Sequence, residues 1–84
     1  MERKKLETKI LECVSTSYRK PIETLSMDTN IKNDLGGTSL LMVGLVSLIE
    51  NELDVLIPLP TAAACITIRD LADKVQDALE GGEN

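Results

Sequence analysis

The sequence predicts an all-α fold, a small helix bundle of three main helices plus one short helix. Three observations predict it. Apolar residues recur at helical spacing in three separate stretches. No stretch alternates apolar with polar residues as a half-buried strand would, and no internal repeat or low-complexity block interrupts the chain. Leu, Ile and Val supply 25 of the 84 residues, enough apolar matter for a packed domain. A chain of this length forms one small domain whose core gives only modest stability. With no Phe or Trp and a single Tyr, that core must be built from aliphatic side chains and Ala.

In the first stretch Leu6, Ile10, Cys13, Val14 and Tyr18 share one helical face, so an amphipathic helix is expected over roughly residues 3–18, ended by Pro21. The segment from Arg19 to Thr38 is too long for an ordinary connection. Its Ile22, Leu25, Met27, Ile31 and Leu35 stand among turn-forming residues and should pin the loop to the core, Ile31 and Leu35 above all.

Gly36-Gly37 permit a tight turn, after which Ser39, a favoured N-cap residue, opens a second helix running to about Asp54. Met42, Leu45, Val46, Ile49 and Leu53 form its core stripe. Leu40, Gly44, Ser47 and Asn51 lie opposite, with Val43 at the margin. Pro58 and Pro60 mark a break before one short helical turn over Thr61 to Cys65. Thr67 followed by Asp70 is a variant capping box that starts a last helix to about Leu79, with Ile68, Leu71, Ala72, Val75 and Leu79 facing inward. The domain should thus span residues 1–80, leaving 81–84 as a flexible tail.

Charge is unevenly distributed. Residues 1–20 hold six basic and three acidic side chains, residues 21–84 three basic and eleven acidic. An acidic surface repels phosphate backbones and attracts basic protein patches, which argues against nucleic acid and for protein partners. Cys13 and Cys65 have no CxxC spacing and the chain has no histidine, so neither a zinc site nor a redox motif is supported and both cysteines are expected in the core. The longest uncharged run, Leu35 to Ile49, is fifteen residues broken by three glycines, and the N-terminus lacks an apolar signal region. A cytoplasmic monomer with no membrane insertion is expected.

On physical grounds a serine before an apolar helical run is more often a cap than a reactive group. Two features favour a chemical role for Ser39. The glycines before it leave its hydroxyl open to a large partner, and a helix N-terminus favours a phosphate.

The order helix, long loop, "DLGGTSL", helix ending "ENELDVLIP", short helix and final helix resembles the acyl carrier proteins over nearly the whole chain. The resemblance implies 4′-phosphopantetheine bound covalently through a phosphodiester on Ser39, with an acyl group held as a thioester on its thiol. It implies a freestanding carrier, not an enzyme, serving fatty acid, lipid or polyketide-type biosynthesis. Its partners would be a phosphopantetheinyl transferase and the acyl-transferring and synthase enzymes of the pathway. The "LGG" form is also similar to peptidyl and polyketide carriers, so an aminoacyl or peptidyl carrier is the alternative, and a non-carrier interaction module with the same fold is another. The absence of a histidine base or nucleophile–base pair agrees with a carrier that catalyses nothing.

The chain departs from the family in several places. Thr38 replaces the Asp that usually precedes the serine, Leu41 and Gly44 stand where acidic residues are common, and "LPTAAAC" is a neutral version of a usually acidic short helix. Docking is therefore expected through Leu40, Val43 and Gly44, with Glu50, Glu52 and Asp54 at the rim. Ala62–Ala64 either join that patch or pack between helices.

Overall fold

Helix α1, Arg3–Tyr18, buries Leu6, Ile10, Cys13, Val14 and Tyr18, the five residues its spacing selects. The computed structural model describes residues 1–81, so of the expected tail only Gly81 is described and 82–84 lie outside. The α1 stop comes before the proline. Arg19 turns left-handed at φ 57°, the Arg19 N–H donates to Ser15 O, and the Lys20 N–H donates to the same carbonyl at 3.1 Å. Lys20 precedes Pro21 and so is kept from the helical region, which makes the boundary sharp.

The chain then makes a 3₁₀ turn, Ile22–Thr24, and a single π-type turn, Ile31–Leu35, before α2, Ser39–Leu53. Both turns were illegible in the pattern of the sequence, because neither is long enough to show a period. Leu25 and Ile31 are buried, Met27 and Leu35 are half-buried against the core, and Ile22 is exposed. Apolar anchors are only part of what holds the segment. The Ile31 N–H donates to Ile66 O at 2.8 Å, the Ile68 N–H to Thr29 O at 3.1 Å and the Arg69 N–H to Met27 O at 2.9 Å. The loop is thereby stitched to the start of the last helix, with an Arg69–Asp28 ion pair outside it.

In α2 the buried residues are Met42, Leu45, Ile49 and Leu53, while Val46 is half-buried at the edge of the stripe. Asp54 lies just past the helix in the left-handed conformation. Helix α3, Leu59–Ala63, starts two residues earlier than its expected position. Pro60 is within its first turn, where the missing N–H would have had no intrahelical acceptor, so the proline initiates this helix instead of preceding it.

Helix α4, Ile68–Leu79, buries Ile68, Leu71, Ala72 and Val75. Leu79, expected inside, is 37 % exposed at the fraying end. Helix α1 packs on α2 and α4, and α3 touches both α2 and α4. Arg3 pins the outer edge of the α1–α4 contact through Asp73 Oδ1 at 2.7 Å and Gln76 Oε1 at 2.5 Å. Among the described residues no strand forms beyond an isolated bridge between Asn30 and Thr67.

The α4 capping box is complete. Thr67 Oγ1 accepts from the Asp70 N–H at 3.2 Å, and Asp70 Oδ2 accepts from the N–H groups of Thr67 and Ile66 at 3.1 and 3.0 Å. The backbone N–H donors of Thr67 and Ile66 hold the Asp70 carboxyl below its ordinary pKa. A depressed carboxyl stabilises the fold above its unfolded pKa of about 4 and loses that contribution as pH falls through the folded value. Asp70→Asn should therefore lower the urea midpoint at pH 7, and the gap to the unsubstituted protein should close as the pH falls through the folded value of Asp70. A gap that stays constant down to that pH would mean the carboxylate charge contributes nothing.

Candidate functional site

The approach to Ser39 is set by a reciprocal turn. Asn30 Oδ1 accepts from the Asn33 N–H and Asp34 Oδ2 accepts from the Asn30 N–H, each at 2.8 Å, closing the turn that precedes Gly36. Gly36 has φ 64° and ψ −139°, a combination that a side chain strongly disfavours. Gly37 has φ 88°, and a Cβ there would lie 2.8 Å from Leu41 Cδ1 and 3.0 Å from Tyr18 Cε2. The pair of glycines thus lets the chain turn tightly over the Tyr18 ring at the end of α1.

Thr38, in extended conformation, is the N-cap of α2, and Ser39 is its first helical residue. This corrects the expectation that Ser39 caps the helix. Ser39 is exposed, and among the described residues its hydroxyl forms no hydrogen bond and the Thr38 side chain forms no cap bond. The contrast with α4 is informative. There the N–H groups of Ile68, Arg69 and Asp70 are all satisfied by Thr29 O, Met27 O and Thr67 Oγ1. At α2 the Ser39 and Leu40 N–H groups have no acceptor among the described residues.

Free N–H groups at the positive end of a fifteen-residue helix suit an anion. Lys32, exposed and in no ion pair among the described residues, stands on the same cleft as Ser39. The residues present therefore fit a phosphodiester on Ser39 Oγ, with the α2 N–H groups and the Lys32 ammonium available to its negative charge.

Ser39 lines a cleft of about 490 Å³ to which Tyr18, Ile31, Met42, Leu59 and Ala63 contribute apolar surface and Lys32 and Thr38 polar groups. Its size is within the range of about 300–1,000 Å³ typical of small-molecule sites. The sequence pattern did not place Tyr18, Lys32 or α3 at this site. The one available signal was a lone aromatic at a helix end in a chain with two adjacent glycines.

The two thiols offer no competing chemistry. Cys13 and Cys65 are both buried and unpaired. Burial, aided by Glu52 and Glu12, pushes the Cys13 thiol up to about 11, and burial likewise raises that of Cys65, so neither is a ready thiolate at neutral pH. No group of His, Cys, Asp and Glu able to hold a metal ion occurs among the described residues.

Of the expected docking residues, Leu40 is 77 % and Val43 42 % exposed, the one next to Ser39 and the other about one turn on. Gly44 is exposed too, but a Cβ there would come 3.4 Å from Ser17 Oγ, which puts it on the α1 edge of the helix. The acidic trio does not form one rim. At 100° per residue Glu50 and Glu52 point about 200° apart. Glu52 faces α1, 4.0 Å from Lys9, while Glu50 continues the row of Ser39, Val43 and Val46, and Asp54 lies beyond the helix end. Ala62 is fully buried, whereas Ala63 and Ala64 are exposed, so the alanines divide between packing and surface.

Comparison with known proteins matches the chain over residues 8–75 to the family described as phosphopantetheine attachment site. No curated protein matches the chain. No helix among the described residues is long and apolar enough to cross a membrane.

Proposed function

The chain belongs to the phosphopantetheine attachment-site family, and from that premise we propose that it is an acyl carrier whose covalent arm is joined to Ser39. Domains of this family carry 4′-phosphopantetheine and catalyse no reaction of their own. When attached, the arm supplies a thiol that holds cargo as a thioester. The observation that carries the assignment to Ser39 is its free, exposed hydroxyl at a helix start whose first two N–H groups have no other acceptor.

The chain's own contribution is presentation and shielding. Gly36 and Gly37 set Ser39 forward on a tight turn, and the unsatisfied N–H groups hold negative charge at its oxygen. Attachment breaks the pyrophosphate bond of coenzyme A: Ser39 Oγ takes the phosphopantetheinyl group, adenosine 3′,5′-bisphosphate leaves, and the Ser39 proton goes to a base of the partner transferase. An acyl rather than aminoacyl cargo is supported by the apolar side chains of Ile31, Met42, Leu59 and Ala63 that line the cleft beside the attachment point. All these residues come from one chain, so a monomer suffices. The two unpaired thiols suit a reducing compartment such as the cytoplasm.

Incubation with coenzyme A and a phosphopantetheinyl transferase tests the assignment. Intact mass should rise by one phosphopantetheinyl group, and peptide mapping should place it on Ser39. An unmodified protein, or a group on another residue, overturns the reading.

Docking of the transferase and of the pathway enzymes should centre on Leu40 and Val43, whose apolar surface is contiguous with Ser39. Leu40→Glu should weaken transferase binding by more than about 1 kcal/mol while leaving the unfolding midpoint unchanged, because the side chain is solvent-facing. Glu50→Gln should slow association more than Glu52→Gln, since Glu52 is turned toward Lys9. Binding that collapses between low and moderate salt, with Leu40→Glu silent, would instead assign recognition to the acidic residues.

A further inference from the structure

Lys32 is the only basic residue among those that line the cleft with Ser39. Among the described residues its ammonium is in no ion pair and has no hydrogen-bond partner, and the residue is exposed. The fold gains nothing from that charge. The Lys32 backbone, by contrast, is held on both sides. Ile31 before it is buried and donates its N–H to Ile66 O at 2.8 Å, while the Lys32 carbonyl accepts from the Gly36 N–H at 3.1 Å. The second bond ties Lys32 to the glycine pair that sets Ser39 forward. Asp34, two residues on, does not neutralise the lysine: its Oδ2 accepts from the Asn30 N–H at 2.8 Å, and it forms no ion pair among the described residues.

We propose that Lys32 is a positioning residue for the arm, its ammonium holding the non-bridging oxygens of the phosphoryl group on Ser39 during attachment and in the finished phosphodiester. The inference rests on the carrier reading and adds a second residue to its site. Attachment forms the bond from Ser39 Oγ to phosphorus and breaks the pyrophosphate P–O bond of coenzyme A; the bisphosphate departs with the bonding electrons, and the serine proton goes to the base of the transferase. The phosphoryl group stays negative throughout. A cation set at its oxygens acts by position and electrostatics, with no covalent part in the step. Because the Lys32 backbone is tied to the turn that carries Ser39, the contact tightens as phosphorus closes on Oγ. It therefore raises the rate at saturation and not the affinity for coenzyme A. Once the ester has formed, the same attraction restrains the phosphate at the root of the arm, and salt screens it.

The test compares Lys32→Gln and Lys32→Arg with the unsubstituted protein. All three should share one urea midpoint, since the side chain bonds nothing in the fold. With a phosphopantetheinyl transferase and both substrates saturating, Lys32→Gln should accept the arm about tenfold more slowly at an unchanged KM for coenzyme A, the ratio expected of one charge-assisted hydrogen bond. Lys32→Arg should return to within about threefold of the parent, because it keeps the charge. The phosphorus NMR signal of the finished arm gives a readout free of the enzyme. Its line should be broad in the parent and in Lys32→Arg and narrow in Lys32→Gln. In the parent it should also narrow as salt is raised from about 0.01 M to about 1 M.

A loss confined to a higher KM for the carrier would make Lys32 a docking contact, and equal slowing in Lys32→Arg would make its role one of shape. A line of the same width in all forms and at both salt concentrations would leave the phosphate unheld. Each of these results overturns the inference while leaving the carrier reading intact. The salt series uses the unsubstituted protein and so decides the matter even if a variant folds poorly. Failure to attach any arm overturns the carrier reading itself.

Discussion

Ser39→Ala is expected to fold, to keep nearly all of its stability and to accept no arm at all. The loss of modification is total because the substitution removes the oxygen that would form the phosphodiester, and no neighbouring group replaces it: Thr38 is β-branched and precedes the helix, and Ser47 lies two turns away. The small stability change is less obvious. Had Ser39 been the N-cap, its removal would have cost about 0.5–2 kcal/mol. As the first helical residue, with a hydroxyl that bonds nothing and an exposed side chain, it should change stability by less than about 0.5 kcal/mol. Urea denaturation beside intact-mass analysis separates the two effects. A modified Ser39→Ala protein would falsify the assignment, and a cost near 2 kcal/mol would show that the hydroxyl caps α2 in solution.

Much of this architecture is legible in the sequence because long helices declare themselves through period. Helix α1 and its five buried residues follow from spacing alone, and α4 follows from Thr67, Asp70 and the apolar positions behind them. What the sequence hides is whatever depends on contacts between distant segments. The turn at Ile31–Leu35 is too short to have a period, and the N–H groups of Ile68 and Arg69 find acceptors some forty residues back. Pro60 misleads because a proline both ends and begins helices, and only the missing donor at the first turn distinguishes the cases. At the site, Ser39 and the two glycines are visible in one line of sequence, whereas the cleft is not. Tyr18, Lys32, Met42 and Leu59 meet there only after α1, α2 and α3 have packed. The separation of Glu50 from Glu52 is also a matter of helical geometry that a run of acidic letters conceals.

A large loss of stability is expected from Ile31→Ala, and it tests whether the segment before Ser39 is held by its side chains or by its backbone. Ile31 is 2 % exposed, so truncation removes buried apolar surface and leaves a cavity, at a cost of about 2–5 kcal/mol. An 84-residue domain has roughly 4–12 kcal/mol in all, so the substitution takes a large share. Leu35 is only half-buried, and Leu35→Ala should cost less, about 1–2 kcal/mol. The order of the two is the informative part. The three backbone bonds from Ile31, Ile68 and Arg69 survive both substitutions in principle, and if they alone fixed the segment both variants would stay within about 0.5 kcal/mol of the parent in urea denaturation. If the core anchor dominates, Ile31→Ala should also slow arm attachment beyond what its unfolded fraction explains, because Ile31 lines the cleft and begins the turn that leads through Gly36 and Gly37 to Ser39. An attachment rate that follows the folded fraction alone would assign Ile31 to stability and leave the placing of Ser39 to the Asn30–Asp34 turn and the glycines.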